Sequence, residues 1–283
     1  MNAPLKLLTI PALAIDVGFF STKFTLGRAI QGDKSEIKFD LIPSVAPRIN
    51  GGLHSLPTAA ALDGVLIEVE PGVSHFVGKD VYHTTNASGT RAVISNFSES
   101  SAYKALFLGA LYHVARHLGA SGALAINQLV LGLPLSTVYS HSAGLKTFAE
   151  GDHNIPDPAV PGKTIKVTVR DALVVAQPQG ALMNYGVDKS GAASEHTTLV
   201  LDMGGGTFDW FVSNGMKPNH QRCGAAPIGA LACAATICDQ IHPELRHDAE
   251  IMARVDRALR DATPTVKITG RDYTMADYMP AVK

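Results

Sequence analysis

The chain has 283 residues, of which 46% are hydrophobic and 17% charged, and its 24 Lys and Arg side chains are balanced by 25 Asp and Glu. This length and apolar content suffice for one large domain or two medium ones. A net charge of −1 argues against nucleic acid or an anionic membrane as a direct partner. Three cysteines are too few for a disulfide scaffold, and no apolar run approaches the roughly 18 residues of a membrane span. We therefore expect a cytoplasmic α/β protein without a membrane segment.

The strongest helical pattern in the first part of the chain covers residues 99–118. Its apolar residues recur at helical spacing, Ser98 stands where an N-cap is expected, and Gly119 follows as a C-terminal stop. His113 and His117 lie four residues apart on this helix, and without a third metal ligand in the pattern we expect both on its solvated face.

Gly- and Pro-rich stretches separate the remaining elements and predict loops at residues 43–64 and 151–162. Apolar runs predict strands at 128–133, 163–169, 173–175, 197–202 and 208–213. Helical spacing predicts further helices at 181–186, 229–241 and 244–262. Strands that alternate with helices indicate an α/β fold.

A loose internal repeat is the most informative feature of the sequence. The segment LAIDVG at 13–18 returns as LVLDMG at 199–204, a shift of 186 residues. Each segment is an apolar strand that ends in Asp, and each is followed by a Gly-containing turn and a second strand, at 22–26 and 208–212. The shift is far too long for a solenoid. It predicts two related subdomains that each contribute one β-hairpin to a shared cleft.

The turns of both predicted hairpins carry groups suited to binding phosphate. Glycine lets the backbone approach a ligand closely, and successive N–H groups of a turn bind phosphate oxygens. The first turn offers such donors, and Lys23 adds a positive charge. The candidate phosphate-binding residues are Gly18, Ser21, Thr22 and Lys23 in the first hairpin, and Gly204, Gly205, Gly206, Thr207 and the flanking Asp209 in the second.

Asp16 and Asp202 end the first strands of the two predicted hairpins. Two carboxylates that face one polyphosphate would repel it unless a divalent cation lay between them. Mg²⁺ prefers oxygen ligands and gives up its water reluctantly. The sequence therefore predicts Mg²⁺ held by Asp16 and Asp202 through water.

These motifs resemble those of a known superfamily. DVGFFSTK at 16–23 resembles the first phosphate motif of the actin, sugar-kinase and heat-shock-chaperone ATPases, LVLDMGGGTFD at 199–209 resembles the second, and QPQGALMNYG at 177–186 is similar to their connecting helix. Within the superfamily the chain is most similar to the bacterial plasmid-segregation actins of the ParM/StbA group, where PSVAP at 43–47 and GLP at 132–134 also fit. Its overall pattern resembles the PRTRC-system protein D family.

The resemblance implies a site chemistry. The cofactors would be ATP or GTP with Mg²⁺, and Asp16 and Asp202 would organise the metal and the attacking water, with Lys23 on a phosphate. Asp202 would be catalytic together with a glutamine of the connecting helix: analogy with actins favours Gln179, and the chaperone pattern favours Gln177. An amide can position a water but not deprotonate it, so slow hydrolysis is expected.

The resemblance also implies a fold and a biological role. It predicts an actin-like, ribonuclease H-like α/β ATPase with one domain at 1–180 and a second at 181–283. No third glycine-rich motif follows Ala262, so the second domain is expected to be incomplete at its C-terminus. The implied role is self-association into nucleotide-dependent filaments that segregate plasmid DNA through a DNA-binding adaptor protein. The alternatives are a non-polymerising regulatory or chaperone-like module and a small-molecule kinase or phosphatase.

Overall fold

Four β-sheets, of seven, four, three and two strands, are present in a computed structural model that describes residues 7–31, 34–50, 61–84, 94–186 and 195–282. Up to residue 186, the strands and helices are β1 (Leu7–Val17), β2 (Ser21–Gln31), β3 (Lys34–Pro43), β4 (Arg48–Ile49), β5 (Gly64–Glu70), β6 (Val73–Gly78), α1 (Ser101–His117), β7 (Ala123–Leu133), α2 (Leu135–Ala149), β8 (Gly151–Pro156), β9 (Thr164–Val169), β10 (Ala172–Ala176) and α3 (Gln177–Gly186). From residue 195 they are β11 (Thr197–Met203), β12 (Phe208–Asn214), β13 (Lys217–Pro218), β14 (Gly224–Ala226), α4 (Ala230–Ile241), α5 (Ala249–Arg260), β15 (Thr265–Ile268) and β16 (Arg271–Thr274).

The first sheet has seven strands of mixed direction. Its order is β3-β2-β1-β7-β9-β8, and β10 also pairs with β7. The strands β1, β9 and β10 are parallel to β7, whereas β2, β3 and β8 pair antiparallel with their neighbours. The parallel pairing of β1 with β7 brings the C-terminal ends of both strands to one edge of the sheet, where α2 and α3 begin.

Helix α1 forms the centre of the first core. The side chain of Ser100 accepts a hydrogen bond from the backbone N–H of Tyr103 and so caps the helix. Leu106, Phe107 and Leu111 are completely buried against the sheet, and each such side chain contributes about 1.5–3 kcal/mol on burial. The helix ends before Gly119, whose φ of 61° favours glycine.

The second sheet is smaller and has four strands. Its strands run in the order β11-β12-β13, with β14 also paired to β12. A second core forms where α4 and α5 pack together with β15 around Ile237, Val255 and Ile268, all fully buried. Asp248 caps α5 by accepting hydrogen bonds from the N–H groups of Glu250 and Ile251.

Most predicted elements are confirmed, with shifted ends. Helix α1 starts two residues later than predicted and is capped by Ser100, because residues 97–99 form a 3-10 turn before it, and Ser98 is no cap. The predicted helix at 244–262 is divided into a 3-10 turn at Pro243–His247 and α5. The boundary proposed at 180/181 falls within α3, and this domain division remains a prediction.

The loop predicted at 151–162 is partly wrong. Residues Gly151–Pro156 form β8, which pairs antiparallel with β9 from Gly151↔Val169 to Pro156↔Thr164. Ile155 is completely buried and fixes this register. Pro156 is tolerated because β8 is an edge strand that ends there. Of the loop predicted at 43–64, residues 48–49 form β4 and Gly64 begins β5, while 51–60 lie outside the described residues.

The expected exposure of His113 is also wrong. Its side chain is 4% exposed and stacks on Phe24 of β2 at 5.9 Å between ring centroids, whereas His117 is exposed as predicted. Burial, reinforced by the charge of Arg116, lowers the pKa of His113 to about 4. His113 is therefore a neutral core residue.

No helix in the described part of the chain is long and apolar enough to cross a membrane.

Candidate functional site

The two hairpins predicted from the repeat have the same construction. In the first, Asp16 pairs across the strands with Lys23, and in the second Asp202 pairs with Asp209. Both turns close with the same backbone hydrogen bond: the N–H of Gly18 donates to the carbonyl of Ser21 at 3.2 Å, and that of Gly204 to Thr207 at 2.9 Å. The sequence repeat thus corresponds to a repeat in structure.

The turns of the two hairpins contact each other directly. A Cβ placed on Gly205 would lie 3.0 Å from the Cβ of Phe20 and 3.1 Å from its backbone nitrogen. Phe20 also packs into the second core, and the guanidinium of Arg260 lies 4.6 Å from its ring centroid. Both turns line one cleft, together with Asp16, Ser21, Lys23, Tyr103, Gln177, Asp202 and Thr207.

The N-terminus of α4 holds the second turn. The N–H of Ala230 donates to the carbonyl of Gly204, and the N–H of Leu231 donates to the carbonyl of Gly205, each at 3.0 Å. These bonds satisfy helix donors that would otherwise lack partners. A Cβ on Gly229 would lie 2.3 Å from the carbonyl oxygen of Gly205, so only glycine fits there.

Asp16 is held by two side chains. Its Oδ1 accepts a hydrogen bond from Nε2 of Gln177 at 2.6 Å, and its Oδ2 lies 3.5 Å from Nζ of Lys23. The Lys23 side chain is 55% exposed, so this ion pair adds little stability. Gly132 makes room for the pair, because a Cβ there would lie 3.0 Å from Cγ of Gln177 and 3.3 Å from Oδ1 of Asp16.

Asp202 lies in the same cleft and is half-buried. Burial is the main cause that raises its pKa, and the negative charges of Asp209 and Asp16 raise it further, against a smaller opposing effect of Lys23. The carboxylates of the cleft therefore repel one another.

The donor set fits a magnesium ion. A divalent cation beside Asp16 and Asp202 would remove their repulsion, and both supply the oxygen ligands that Mg²⁺ prefers. Among the described residues, no three His, Cys, Asp or Glu side chains form a metal-binding cluster. The remaining ligands of such an ion would therefore be water and phosphate oxygens, as is usual for Mg²⁺.

Asp209 serves as a structural acceptor. It is 1% exposed; its Oδ1 accepts from the N–H of Leu135, the first residue of α2, at 2.9 Å, and its Oδ2 accepts from the hydroxyl of Thr207 at 2.8 Å. A carboxylate at a helix N-terminus is stabilising. Both oxygens are thus engaged with protein groups, and Asp209 joins the second hairpin to the helix that follows β7 of the first sheet.

Three other residues predicted for the site point elsewhere. The hydroxyl of Thr22 is fully buried and bonds to that of Ser44 at 2.9 Å. The Oε1 of Gln179 accepts from the N–H of Ala176 at 2.9 Å, within the start of α3. Gly206 lines a neighbouring depression formed with α4 and α5. Of the two candidate glutamines, the structure brings only Gln177 into the cleft.

Several cleft residues had not been predicted. Phe20 and Gly229 support the turns, Gly132 makes room for Asp16, and Tyr103 lines the wall. Gly132 belongs to the GLP segment that resembles the plasmid-segregation actins. For Tyr103 the local sequence shows only a helical apolar position.

The cleft combines two backbone turns, the ammonium group of Lys23, the carboxylates of Asp16 and Asp202, and the amide of Gln177. These are the groups needed to bind a polyphosphate and to place a water molecule against it.

Comparison with known proteins agrees with this geometry. Residues 14–180 match the family model for the N-terminal domain of actin-like proteins, more than half of the chain. Among solved structures, the chain is similar to the actin-like protein Alp7A (TM-score 0.65, 14% identity, covering 96% of this chain and 76% of Alp7A) and to the apo pSK41 ParM protein (0.60, 17%, 96% and 81%). It is also similar to AlfA in a filament bound to AMPPNP (0.55, 18%, 81% and 76%). These likenesses show the actin-like fold, and the family match shows that the chain belongs to the actin-like protein family.

Proposed function

We propose that this protein binds ATP or GTP with Mg²⁺, hydrolyses it slowly, and forms nucleotide-dependent filaments that segregate plasmid or other DNA. The observation that carries the proposal is the pair of equivalent hairpin turns, Gly18–Ser21 and Gly204–Thr207, which line one cleft with a carboxylate in each hairpin.

The two turns would bind the phosphates. Gly18, Ser21, Gly204 and Gly205 line the cleft without bulky side chains, and Lys23 is exposed enough to reach a phosphate oxygen. Because α4 donates to the carbonyls of the second turn, its backbone is held in place before a ligand arrives. Such preorganisation lowers the cost of binding.

The carboxylates would hold the cation through water. Bound Mg²⁺ would neutralise charge on the phosphates and so favour attack on the terminal one. Asp16 and Asp202 would orient its water ligands, and the repulsion that raises the pKa of Asp202 would be relieved.

Gln177 would orient the attacking water. Its amide lies in the cleft next to Asp16, whereas Gln179 is bonded to the backbone of β10. An amide contributes positioning without general-base catalysis, so turnover would be slow. Slow turnover suits a timer for filament disassembly.

Filament formation is proposed from the family. AlfA, which shares the fold, has been solved as a filament bound to AMPPNP. The two halves proposed at 1–180 and 181–283 meet at the hairpin turns through Gly205 and Phe20, so a nucleotide held by both turns would fix their relative position. With a net charge of −1, attachment to DNA would require a basic adaptor protein, and the proposed location is the cytoplasm.

Two measurements test the proposal. Titration calorimetry with ATP and with GTP, each with and without Mg²⁺, should show Mg²⁺-dependent binding, and light scattering after nucleotide addition should rise and then decay as nucleotide is consumed. Binding without scattering would favour a non-polymerising module. Absence of binding to either nucleotide would contradict the assignment of the cleft.

A further inference from the structure

The hydroxyl of Tyr103 is a buried polar group near Asp16 that has no hydrogen-bond partner among the described residues. Tyr103 is 1% exposed, and its hydroxyl makes no hydrogen bond with any described residue. Buried hydroxyls are almost always hydrogen-bonded, and one left unmatched costs about 1–3 kcal/mol. A tyrosine that only filled the core would be better replaced by phenylalanine. The hydroxyl therefore points to a partner that it meets in another arrangement of the cleft.

Neighbouring groups hold the ring of Tyr103. Its backbone N–H is held by Ser100 in the first turn of α1, and Phe97 packs edge-on against the ring at 5.5 Å between centroids. Phe97 in turn stacks on Phe19 at 5.1 Å, and Phe19 is part of the first phosphate turn. The aromatic contacts thus hold the Tyr103 ring next to the first phosphate turn.

Tyr103 lines the cleft together with Asp16 and Gln177. The phenol remains a neutral donor at every working pH, because burial and then the negative charge of Asp16 raise its pKa. A neutral O–H next to a carboxylate forms a strong, charge-assisted hydrogen bond when the geometry allows it. In this structure the Oδ1 of Asp16 is instead engaged by Gln177 at 2.6 Å.

The amide of Gln177 has two N–H donors, and in this structure one of them is donated to Asp16. If Gln177 turns toward the nucleotide, Asp16 loses its shortest hydrogen bond and, among the side chains that the structure describes, keeps the exposed Lys23 at 3.5 Å. We propose that Tyr103 then takes the place of Gln177 as the hydrogen-bond donor to Asp16. This exchange rests on the proposed function of the cleft, and it makes Tyr103 a positioning residue that releases Gln177 for the attacking water.

The test is Tyr103→Phe, which removes only the hydroxyl. Without nucleotide, the melting temperature should stay the same or rise, since an unmatched buried hydroxyl is lost. With saturating ATP and Mg²⁺, turnover should fall about tenfold or more, in the range seen when a partner of a metal-site carboxylate is removed. The KM for ATP should change little, and the Mg²⁺ concentration for half-maximal turnover should rise. Tyr112→Phe, on the same helix but outside the cleft lining, is the matched control and should change none of these quantities.

The outcomes separate the exchange from the function on which it rests. Binding and turnover by the parent protein, together with unchanged turnover and Mg²⁺ dependence in Tyr103→Phe, would overturn the exchange and leave the proposed function intact. A lower melting temperature without nucleotide and unaltered turnover per folded molecule would show a purely structural hydroxyl and also overturn it. Failure of the parent itself to bind either nucleotide would overturn both.

Discussion

Lys23 and Asp209 occupy the same position in the two hairpins, each directly across the strand pair from the aspartate that ends the first strand. Their surroundings differ completely. Lys23 is largely exposed and lies 3.5 Å from Asp16, whereas Asp209 is 1% exposed and bonded to Leu135 and Thr207. The repeated position lines the cleft in one hairpin and supports the turn in the other.

This difference predicts that Asp209 contributes mainly to stability. Asp209→Ala leaves the buried N–H of Leu135 without an acceptor and should lower the free energy of unfolding by about 2–3 kcal/mol. Asp209→Asn keeps an oxygen for Leu135 but loses the charge at the N-terminus of α2, so its loss should be about 1 kcal/mol. Urea denaturation followed by circular dichroism measures both. Equal stability of the parent protein and the Ala variant would contradict the structural role.

The Asp202 carboxylate should lower the stability of the folded chain at neutral pH while it supports hydrolysis. Its raised pKa means that the folded chain holds the Asp202 proton more tightly than the unfolded chain does. Stability is therefore lost as the pH rises through the interval between the ordinary and the raised pKa. Asp202→Asn removes this repulsion, so its melting temperature should exceed that of the parent at pH 7.

The same variant should be defective in hydrolysis. Loss of the carboxylate should reduce turnover by about a hundredfold or more, while calorimetry should still detect ATP binding because the backbone donors and Lys23 remain.

The pH dependence of stability gives a control for Asp202→Asn. Below the ordinary pKa of aspartate, both proteins carry a neutral group at position 202, and their melting temperatures should converge. A variant less stable than the parent at pH 7 would show that the carboxylates do not repel.

Gly205 should be required for nucleotide binding because it lies where the two turns meet. In Gly205→Ala, the new Cβ would be 3.0 Å from Cβ of Phe20 and must push the two turns apart. We expect nucleotide affinity to fall by about tenfold or more, which corresponds to about 1.4 kcal/mol, with a small change in melting temperature. The matched control is Gly144→Ala in α2, where a Cβ meets nothing within 4 Å. That variant should bind normally and gain up to about 1 kcal/mol of helix stability. Normal affinity in Gly205→Ala would mean that the turns can separate without affecting the ligand.

The hairpins could be predicted because their signal is local. An apolar strand, an Asp and a Gly two residues later specify the strand end and the turn, and their recurrence after 186 residues identified the pair. The roles of single residues inside the hairpins depend on distant partners. The bond from Leu135 to Asp209 joins residues 74 apart, and no periodicity contains it.

Helix α2 was missed for a related reason. Among its residues only Leu135, Leu145 and Ala149 are buried, so the segment lacks the continuous apolar stripe that identifies α1. No side chain near its start caps it, and the acceptor for its first N–H comes from Asp209. His113 was misplaced because a histidine in a helical pattern is polar by type, whereas the space beside Phe24 accepts a flat neutral ring.

The buried His113 predicts loss of stability in mild acid. Its pKa is lowered to about 4 in the folded chain, against about 6.5 in an unfolded one. The unfolded chain therefore binds the extra proton between these pH values, and stability that is complete above pH 6.5 is lost as the pH falls toward 4. At pH 5, His113 should lower the free energy of unfolding by about 2 kcal/mol relative to pH 7.

Replacement of His113 by leucine isolates this contribution. The free energy of unfolding of His113→Leu, measured in urea at pH 7 and pH 5, should differ less between the two pH values than in the parent protein. His117→Leu, the same change at the exposed histidine one turn further along α1, should retain the full difference. An unchanged difference in His113→Leu would assign the acid sensitivity to other groups.

The two glutamines of α3 allow the most direct test of mechanism, because they lie two residues apart and do different things. Gln177 donates to Asp16 in the cleft, and Gln179 accepts from the N–H of Ala176. Gln177→Ala should lower single-turnover hydrolysis of ATP by about tenfold to a hundredfold, through lost positioning of the water, with affinity nearly unchanged. Gln179→Ala should keep normal turnover and lose only about 0.5–1.5 kcal/mol of stability with its hydrogen bond.

Filament lifetime gives an independent measure of the same difference. If hydrolysis sets disassembly, light scattering after a pulse of ATP should decay more slowly in Gln177→Ala than in the parent protein, and at the parent's rate in Gln179→Ala. The Asp202→Asn variant should give the longest-lived signal, because it removes a charged carboxylate, whereas Gln177→Ala removes only a neutral amide. Slow decay in Gln179→Ala with normal decay in Gln177→Ala would reverse the assignment and place the water next to the other glutamine. Decay at the parent's rate in all three variants, despite reduced turnover, would show that disassembly does not wait for hydrolysis.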